Sequence, residues 1–199
     1  MKRILRLLCV AFVIVVCCLV CNGNATIVEG NLDLEGYTSP IEFSEGLKVS
    51  GDLYLRDTAV TKLPDDLVVG GDLCLSGTAI TELPKGLLVG HNLYLGGCTN
   101  LTSLPNNLKV GGWLDLRGCA SLTELPEGLS VGGSLILEDC AKLTELPKDL
   151  VVGGDLYLRG AAITELPKGL KVGGEIYRRS IPDPEPPEGL VVGGEIIRG

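Results

Sequence analysis

Residues 51–64 read GDLYLRDTAVTKLP, and close copies follow at 71–84 (GDLCLSGTAITELP) and 154–167 (GDLYLRGAAITELP). A valine stands two residues before each copy, and its equivalents mark nine units after residue 26. These marker valines, which number the units 1 to 9, are Val28, Val49, Val69, Val89, Val110, Val131, Val152, Val172 and Val192. Self-similarity with a spacing of 20 or 21 residues predicts an architecture of stacked repeats.

The Leu-x-Leu core of each unit alternates apolar and polar residues, which predicts a short strand with one buried face. Glycine and proline lie on both sides of it, and proline favours an extended segment because it lacks the N–H and fixes φ. The pattern shows no stretch of helical periodicity. One unit supplies only a valine, an isoleucine and four leucines to a core. Stacking of units is therefore the stabilising device.

The pattern L-x-L-x-x-[T/C]-x-[I/L]-x-x-L-P-x-x-L over residues 27–199 resembles the leucine-rich repeat family. The short unit with its Leu-Pro pair is similar to the bacterial LPX-type subclass. The resemblance implies a leucine-rich repeat solenoid with a parallel β-sheet on the concave face, extended and turn arcs on the convex side, and little helix. The chain departs from the family at the usual asparagine position, which holds Thr58, Thr78, Cys98, Cys119, Cys140 and Ala161.

The cysteines of this column, Cys98, Cys119 and Cys140, occur only in the 21-residue units. Two interpretations remain open. Each cysteine is a small apolar residue packed against the turn, or neighbours form a disulfide in an oxidising compartment. Their spacing follows the repeat and includes no C-x-x-C pair, so it does not indicate a metal site.

Residues 1–25 have the anatomy of a secretory signal peptide. A basic start with Lys2, Arg3 and Arg6 precedes an apolar run over 7–21, and small residues precede a cleavage point before Thr26. The alternatives are a retained membrane anchor or a lipoprotein signal. We expect a secreted or cell-surface protein with its solenoid over 26–179. Residues 180–199 form a degenerate terminal repeat, which is either a cap or a truncated end.

Charge narrows the class of partner. Without residues 1–25 the chain has 14 basic and 25 acidic residues, a net charge of −11. This charge repels phosphate backbones and argues against nucleic acid as a partner. Membrane contact is expected only through an uncleaved N-terminal segment.

The residues flanking the buried leucines should project from the concave sheet in three columns. The first column is Asn31, Asp52, Asp72, Asn92, Trp113, Ser134, Asp155, Glu175 and Glu195. The second column is Asp33, Tyr54, Cys74, Tyr94, Asp115, Ile136, Tyr157, Tyr177 and Ile197. The third column is Glu35, Arg56, Ser76, Gly96, Arg117, Glu138, Arg159, Arg179 and Gly199.

Variation is concentrated in these columns, whereas the core positions are nearly constant. Tyrosine, tryptophan and arginine are the residue types enriched at binding hot spots. The predicted partner-binding residues are Tyr54, Arg56, Tyr94, Trp113, Arg117, Tyr157, Arg159, Tyr177 and Arg179. We expect a centre at Tyr94, Trp113 and Arg117 or at Tyr157, Arg159 and Tyr177. The alternative is that these side chains merely decorate an exposed sheet.

Nothing in the sequence indicates catalysis. The only histidine, His91, replaces the second residue of a glycine pair and is interpreted as a turn variant. The chain contains no phosphate-binding loop, no H-E-x-x-H and no G-x-S-x-G. We therefore predict no catalytic residue, no metal site, no cofactor and no enzymatic activity.

The predicted function is a non-catalytic secreted or surface recognition module. Its partner is expected to be a protein, with a glycan as the second choice, bound through the concave sheet. The alternatives are a structural envelope or matrix repeat protein, a carbohydrate-binding module, and a substrate-recognition fragment of a larger effector. The resemblance suggests the last one, because some LPX-repeat effectors carry a ubiquitin-ligase domain after their repeats.

Overall fold

The computed structural model describes residues 14–15, 26–178 and 187–198. Over these ranges the chain winds into a β-solenoid with coils of about 20 residues, one for each sequence unit. All strand pairs are parallel, and the described residues contain no helix and thus none long enough to cross a membrane. The predicted solenoid with a parallel sheet, turn-rich arcs and little helix is confirmed.

The Leu-x-Leu segments form a nine-stranded parallel sheet, the Leu sheet. Its strands are Leu32–Asp33, Leu53–Tyr54, Leu73–Cys74, Leu93–Tyr94, Leu114–Asp115, Leu135–Ile136, Leu156–Tyr157, Ile176–Arg178 and Ile196–Arg198. Equivalent residues lie opposite each other, so that Leu114 pairs with Leu93 and Leu135. This register turns each sequence column into a column in space.

A second nine-stranded parallel sheet, the Val sheet, contains the marker valines. Its strands are Ile27–Val28, Lys48–Val49, Val68–Val69, Leu88–Val89, Lys109–Val110, Ser130–Val131, Val151–Val152, Lys171–Val172 and Val191–Val192. The sequence predicted the buried valine but not this strand. Two residues are too few to show the alternation that identifies a strand, and the outward residue varies from lysine to leucine.

The third side of each coil is extended but belongs to neither nine-stranded sheet. It contains the Thr-x-Leu-Pro segment, such as 61–64, whose proline has no N–H to donate to a ladder. In coil 1 the equivalent segment Ile41–Glu42 pairs in parallel with Ile14–Val15. This side lies opposite the corner where the two sheets meet and carries the leucine side chains that close the core.

Two corners in each of coils 1 to 7 require a left-handed backbone. Most coils use glycine there, and five positions use aspartate or asparagine, which tolerate this conformation. These five are Asp57 (φ 54°), Asp66 (φ 57°), Asn107 (φ 58°), Asp139 (φ 59°) and Asp149 (φ 56°). Gly, Asp and Asn therefore alternate in these columns for a conformational reason.

The corner between the two sheets is the glycine pair, and close approach of the backbones explains it. A Cβ atom on Gly90 would lie 2.9 Å from the carbonyl carbon of Gly70 and closer still to its oxygen. In coil 2 this position is held by Ser50, because the backbone of coil 1 beneath it differs from that of the other coils. Gly30 there has φ 87°, and its N–H donates to Ser50 Oγ at 2.8 Å.

The predicted core side chains are buried in coils 2 to 6, whereas Leu166 of coil 7 is only partly buried. In coil 5 these are Val110, Leu114, Leu116, Leu122, Leu125 and Leu129, all at most 7% exposed. Coil 9, over residues 187–198, continues both sheets. Part of the predicted terminal segment, residues 179–186, lies outside the described residues. At the inward leucine position of coil 8 stands Arg178, which is buried.

The threonine and cysteine column makes buried side-chain hydrogen bonds to strand carbonyls. Thr58 and Thr78 each donate to the carbonyl three residues earlier, at 2.7 Å. The thiols of Cys98, Cys119 and Cys140 donate instead to the preceding coil, at 3.1, 3.2 and 3.2 Å. The structure holds these cysteines as free thiols, so the disulfide alternative is not realised in it.

The extra residue of the 21-residue coils 4, 5 and 6 is held in a turn that follows the cysteine. The N–H groups of Leu101, Leu122 and Leu143 donate to the carbonyl of the cysteine three residues earlier, each at 3.1 Å. Such a bond between residues i and i+3 closes a β-turn. The insertion therefore lies outside both nine-stranded sheets and leaves their register unchanged.

Folding stability is expected to fall in alkaline solution because the column thiols are protonated. Burial raises the pKa of the Cys98 and Cys119 thiols and raises that of Cys140 to about 11. An unfolded thiol titrates near about 8.5, so from there upward the unfolded state releases protons first and is favoured. We expect a loss of about 2 kcal/mol for each thiol that stays protonated in the folded state between about pH 8.5 and about pH 10.5.

Denaturant titrations at the two pH values measure this loss. The matched variant replaces Cys98, Cys119 and Cys140 by threonine, which coils 2 and 3 already accommodate. The variant should retain its stability better at alkaline pH. Equal losses in both proteins would show that the thiols are not the groups responsible.

Candidate recognition surface

The three predicted columns lie on the outward side of the Leu sheet, here called the outer face. The structure brings Tyr54, Tyr94, Tyr157 and Tyr177 into one column, half-buried between their neighbours. Trp113 stands in the first column and is 51% exposed. The third column holds Arg56, Arg117 and Arg159, all exposed. Arg179 lies outside the described residues.

The first column is a hydrogen-bonded ladder. Each Asn or Asp side chain accepts, through Oδ1, the N–H of the next residue in the column. These bonds join Asn31 to Asp52, Asp52 to Asp72 and Asp72 to Asn92, each at 2.9 Å, and Asn92 to Trp113 at 2.7 Å. The ladder resumes from Ser134 to Asp155 at 3.0 Å and from Asp155 to Glu175 at 2.8 Å. These polar side chains thus fasten adjacent coils together.

Trp113 interrupts the ladder because an indole has a donor but no acceptor. Its ring lies over the next coil, where a Cβ atom on Gly133 would contact Trp113 Cδ1. A glycine beneath the ring makes this placement feasible. The large apolar group is therefore displayed at a point where the polar ladder is absent.

Removing one ladder acceptor should destabilise the fold modestly. Asp72→Ala leaves the N–H of Asn92 without the Oδ1 acceptor at 2.9 Å. We expect the free energy of unfolding to fall by about 1 kcal/mol. Asp72→Asn keeps the acceptor, as Asn31 and Asn92 do in other coils, and should have no effect within about 0.3 kcal/mol. Equal stability of both variants in urea titrations would contradict the ladder's contribution.

Three tyrosines of the second column are bonded to first-column acids of their own coil. Tyr54 donates to Asp52 Oδ2 at 3.0 Å and Tyr157 to Asp155 Oδ2 at 3.1 Å, and the Tyr177 hydroxyl donates to Glu175. Desolvation and the bond to Asp52 raise the pKa of Tyr54 to about 12. The bond to Glu175 is the main cause that raises the pKa of Tyr177 to about 12. These hydroxyls remain protonated donors, which fixes the ring positions.

The second column divides into two groups separated by Asp115. The first group is Tyr54, Cys74 and Tyr94 on adjacent strands. The second group, here called the C-terminal stripe, is Ile136, Tyr157, Tyr177 and Ile197. Tyr157 and Tyr177 stack with parallel rings 4.6 Å apart, and Ile136 is only 8% exposed. The C-terminal stripe is thus the longest apolar run on the outer face.

The arginines of the third column differ in their ion pairs. Arg56 pairs with Glu35 at 3.6 Å and Arg117 with Glu138 at 3.2 Å. Both pairs are solvent-exposed and contribute little stability. Among the described residues, Arg159 has no carboxylate within ion-pair distance. Its guanidinium is the member of this column most available to a partner.

His91 lies at a corner of its coil, and Cys74 lies in the second column of the outer face. His91 occupies the glycine-pair corner, where its N–H donates to Gly71 and its carbonyl accepts from Gly112, as the corner glycines of other coils do. Burial is the main cause that raises the pKa of Cys74 to about 11, which keeps its thiol unreactive near neutral pH. No cluster of potential metal ligands occurs within 26–178 and 187–198.

Two surface features were not predicted from the sequence. An open groove of about 630 Å³ lies on the third side, lined by Lys62, Glu82 and Lys85 among others. The Val sheet displays exposed apolar side chains, including Leu88 and Val191. In the sequence these exposed side chains correspond to the variable residue before each marker valine. That residue can be recognised as outward-facing only once the segment is known to be a strand.

No protein-family model, curated protein or solved structure matches the chain. The solenoid of about 20-residue coils is therefore established by the strand pairing of the chain itself. Any function of the outer face must likewise be argued from its own chemistry.

Proposed function

We propose that this chain is a non-catalytic recognition module that binds a protein partner through the outer face. The observation that carries the proposal is the C-terminal stripe, with its stacked Tyr157 and Tyr177. It lies near the exposed Trp113 and beside Arg159, which forms no ion pair with any described residue. Aromatic and arginine side chains around an apolar centre are the composition of binding hot spots.

Rigidity of the outer face supports the same proposal. Binding is weakened when mobile side chains must be ordered at an interface. Tyr157 is already held by Asp155 and by the ring of Tyr177, and the ladder ties Asp155 to the next coil. A partner would therefore meet a preorganised surface.

A glycan is a weaker candidate for the partner. Sugars bind aromatic residues mainly over their ring faces, and Tyr157 and Tyr177 cover one face of each other. Their hydroxyls are also engaged by Asp155 and Glu175. A purely structural envelope or matrix role predicts no saturable ligand at all, which the experiment below distinguishes.

The family of the chain and its cellular location are also part of this proposal. The coil length of 20 or 21 residues and the leucine and proline positions support membership of the leucine-rich repeat family, in its LPX-type subclass. The composition of residues 1–25 supports a secreted or cell-surface location. Release of a chain beginning at Thr26 from secreting cells would test that location.

Affinity capture with the full chain as bait tests the proposed recognition. Extracellular and cell-surface extracts are passed over the wild-type chain and over a Tyr157→Ala/Arg159→Ala variant with unchanged thermal stability. We expect a protein that the wild type retains saturably and the variant does not. Retention of the same proteins by both baits would contradict the site, and no retained protein would favour a structural role.

A further inference from the structure

Acidic side chains border the C-terminal stripe along one side. Asp155, Glu175 and Glu195 occupy the first column of coils 7, 8 and 9, next to the strands that carry Tyr157, Tyr177 and Ile197. An apolar run and an acidic row therefore lie parallel to each other. Both follow the solenoid axis and cross the strands.

Two acids of this row, Asp155 and Glu175, accept hydrogen bonds through their side-chain carboxylates. Asp155 accepts the N–H of Glu175 through Oδ1 and the hydroxyl of Tyr157 through Oδ2. Both donors are neutral, so neither bond cancels the charge. The donors hold the carboxylate in place, and each oxygen retains a further acceptor position for a cation.

The outer face as a whole is acidic. Its described columns contain nine carboxylates and three arginines, for a net charge of −6. Opposite charge steers and selects partners, so this face favours a basic one. A second copy of the chain would oppose the face with the same negative charge.

The spacing of the row selects the conformation of the partner. Neighbouring parallel strands lie about 4.8 Å apart, so the acids and the apolar side chains both repeat at that interval. Side chains on one stripe of an α-helix recur every three or four residues, at an average rise of about 5.4 Å. Side chains on one face of a strand recur about every 6.7 Å. Over three coils a helix stays in step with the row, and a strand does not.

We propose that the partner segment is a basic amphipathic helix that lies along the solenoid axis on the C-terminal stripe. This inference rests on the proposed function and specifies its partner. The apolar side of the helix contacts Tyr157, Tyr177 and Ile197. Its lysine or arginine side faces Asp155, Glu175 and Glu195. An acidic residue on the opposite flank can reach Arg159.

Synthetic peptides provide the probe. The first is a helix of about 18 residues, about 27 Å long, with a leucine stripe flanked by lysines. The second carries glutamate in place of every lysine. The third has the composition of the first but alternates leucine and lysine at every second residue. Trp113 is the only tryptophan of the chain and lies on the outer face, so its fluorescence reports binding of tryptophan-free peptides to the full chain.

We expect saturable binding of the basic helix and at least tenfold weaker binding of both other peptides. The triple variant Asp155→Asn/Glu175→Gln/Glu195→Gln removes the row's charge but keeps its acceptors, as Asn92 does in the same column. It should bind the basic helix about tenfold more weakly. The matched variant Glu124→Gln/Glu145→Gln/Glu165→Gln removes the same charge from the third side and should bind within twofold of wild type.

Equal binding of the basic and acidic helices, or equal effects of the two triple variants, would overturn the inference. So would preferential binding of the alternating peptide. The proposed function is tested separately, because it depends on the captured partner and not on the peptides. If capture depends on Tyr157 and Arg159 while the basic helix does not bind, the recognition surface stands and its partner is not a basic helix.

Discussion

Gly90→Ala is expected to lower the free energy of unfolding by about 3 kcal/mol. The new methyl group would meet the carbonyl of Gly70 in the coil beneath, which is backbone and cannot rotate away. The two coils must then separate locally, and the bond from the Gly90 N–H to Val69 at 2.9 Å would be strained. Denaturant titration of the two proteins measures the difference.

Gly96→Ala is the matched control in the same coil. A Cβ atom on Gly96 would have its nearest neighbours at 3.7 Å, an ordinary contact distance, and the backbone is not left-handed. We expect stability to remain unchanged or to rise slightly, since alanine restricts the unfolded chain. Equal destabilisation by both substitutions would mean that loss of glycine flexibility, and not the close approach of coils, governs this region.

Tyr157→Ala/Arg159→Ala is expected to weaken partner binding at least about 100-fold, as for the loss of a hot-spot pair. The substitution removes the stacking partner of Tyr177 and the exposed guanidinium of Arg159 beside it. Both side chains are on the outer face, so the core is retained. Titration calorimetry with the captured partner measures the affinity, and circular dichroism verifies the fold.

The chain contains its own control for this experiment. Residues 52–56 and 155–159 have the same sequence, DLYLR, and Tyr54 and Tyr157 make the same bond to their aspartates. Tyr54→Ala/Arg56→Ala therefore repeats the substitution in coil 2 with matched local chemistry. We expect it to change affinity less than threefold. A larger loss in coil 2 than in coil 7 would place the site at the other end of the outer face.

The repeat and its Leu-x-Leu strands were predictable because the same buried positions recur in every unit. Leu53, Leu73 and Leu93 align without interruption, and alternation defines their exposed neighbours. The Val sheet was not predictable in this way. Its strands have one inward and one outward residue, and outward residues as different as Lys48 and Leu88 show no pattern.

The members of the outer face were predictable, but their interactions were not. Alternation placed Asp52, Asp72 and Tyr157 outward correctly. That Asp72 satisfies the backbone of the next coil depends on the separation and register of two strands distant in sequence. The same applies to the Cys98 thiol, whose acceptor Leu75 belongs to the preceding coil. Partner binding itself remains a prediction.

The turn that holds the extra residue of the longer coils has a consequence for how the number of repeats can evolve. Coils of 20 and 21 residues stack in one register because Cys119 and Leu122 close the additional residue into a turn outside the sheets. Unequal recombination between units of either length would thus give a chain that still winds correctly. The array can gain or lose coils in whole steps, and its length can evolve separately from the chemistry of the outer face.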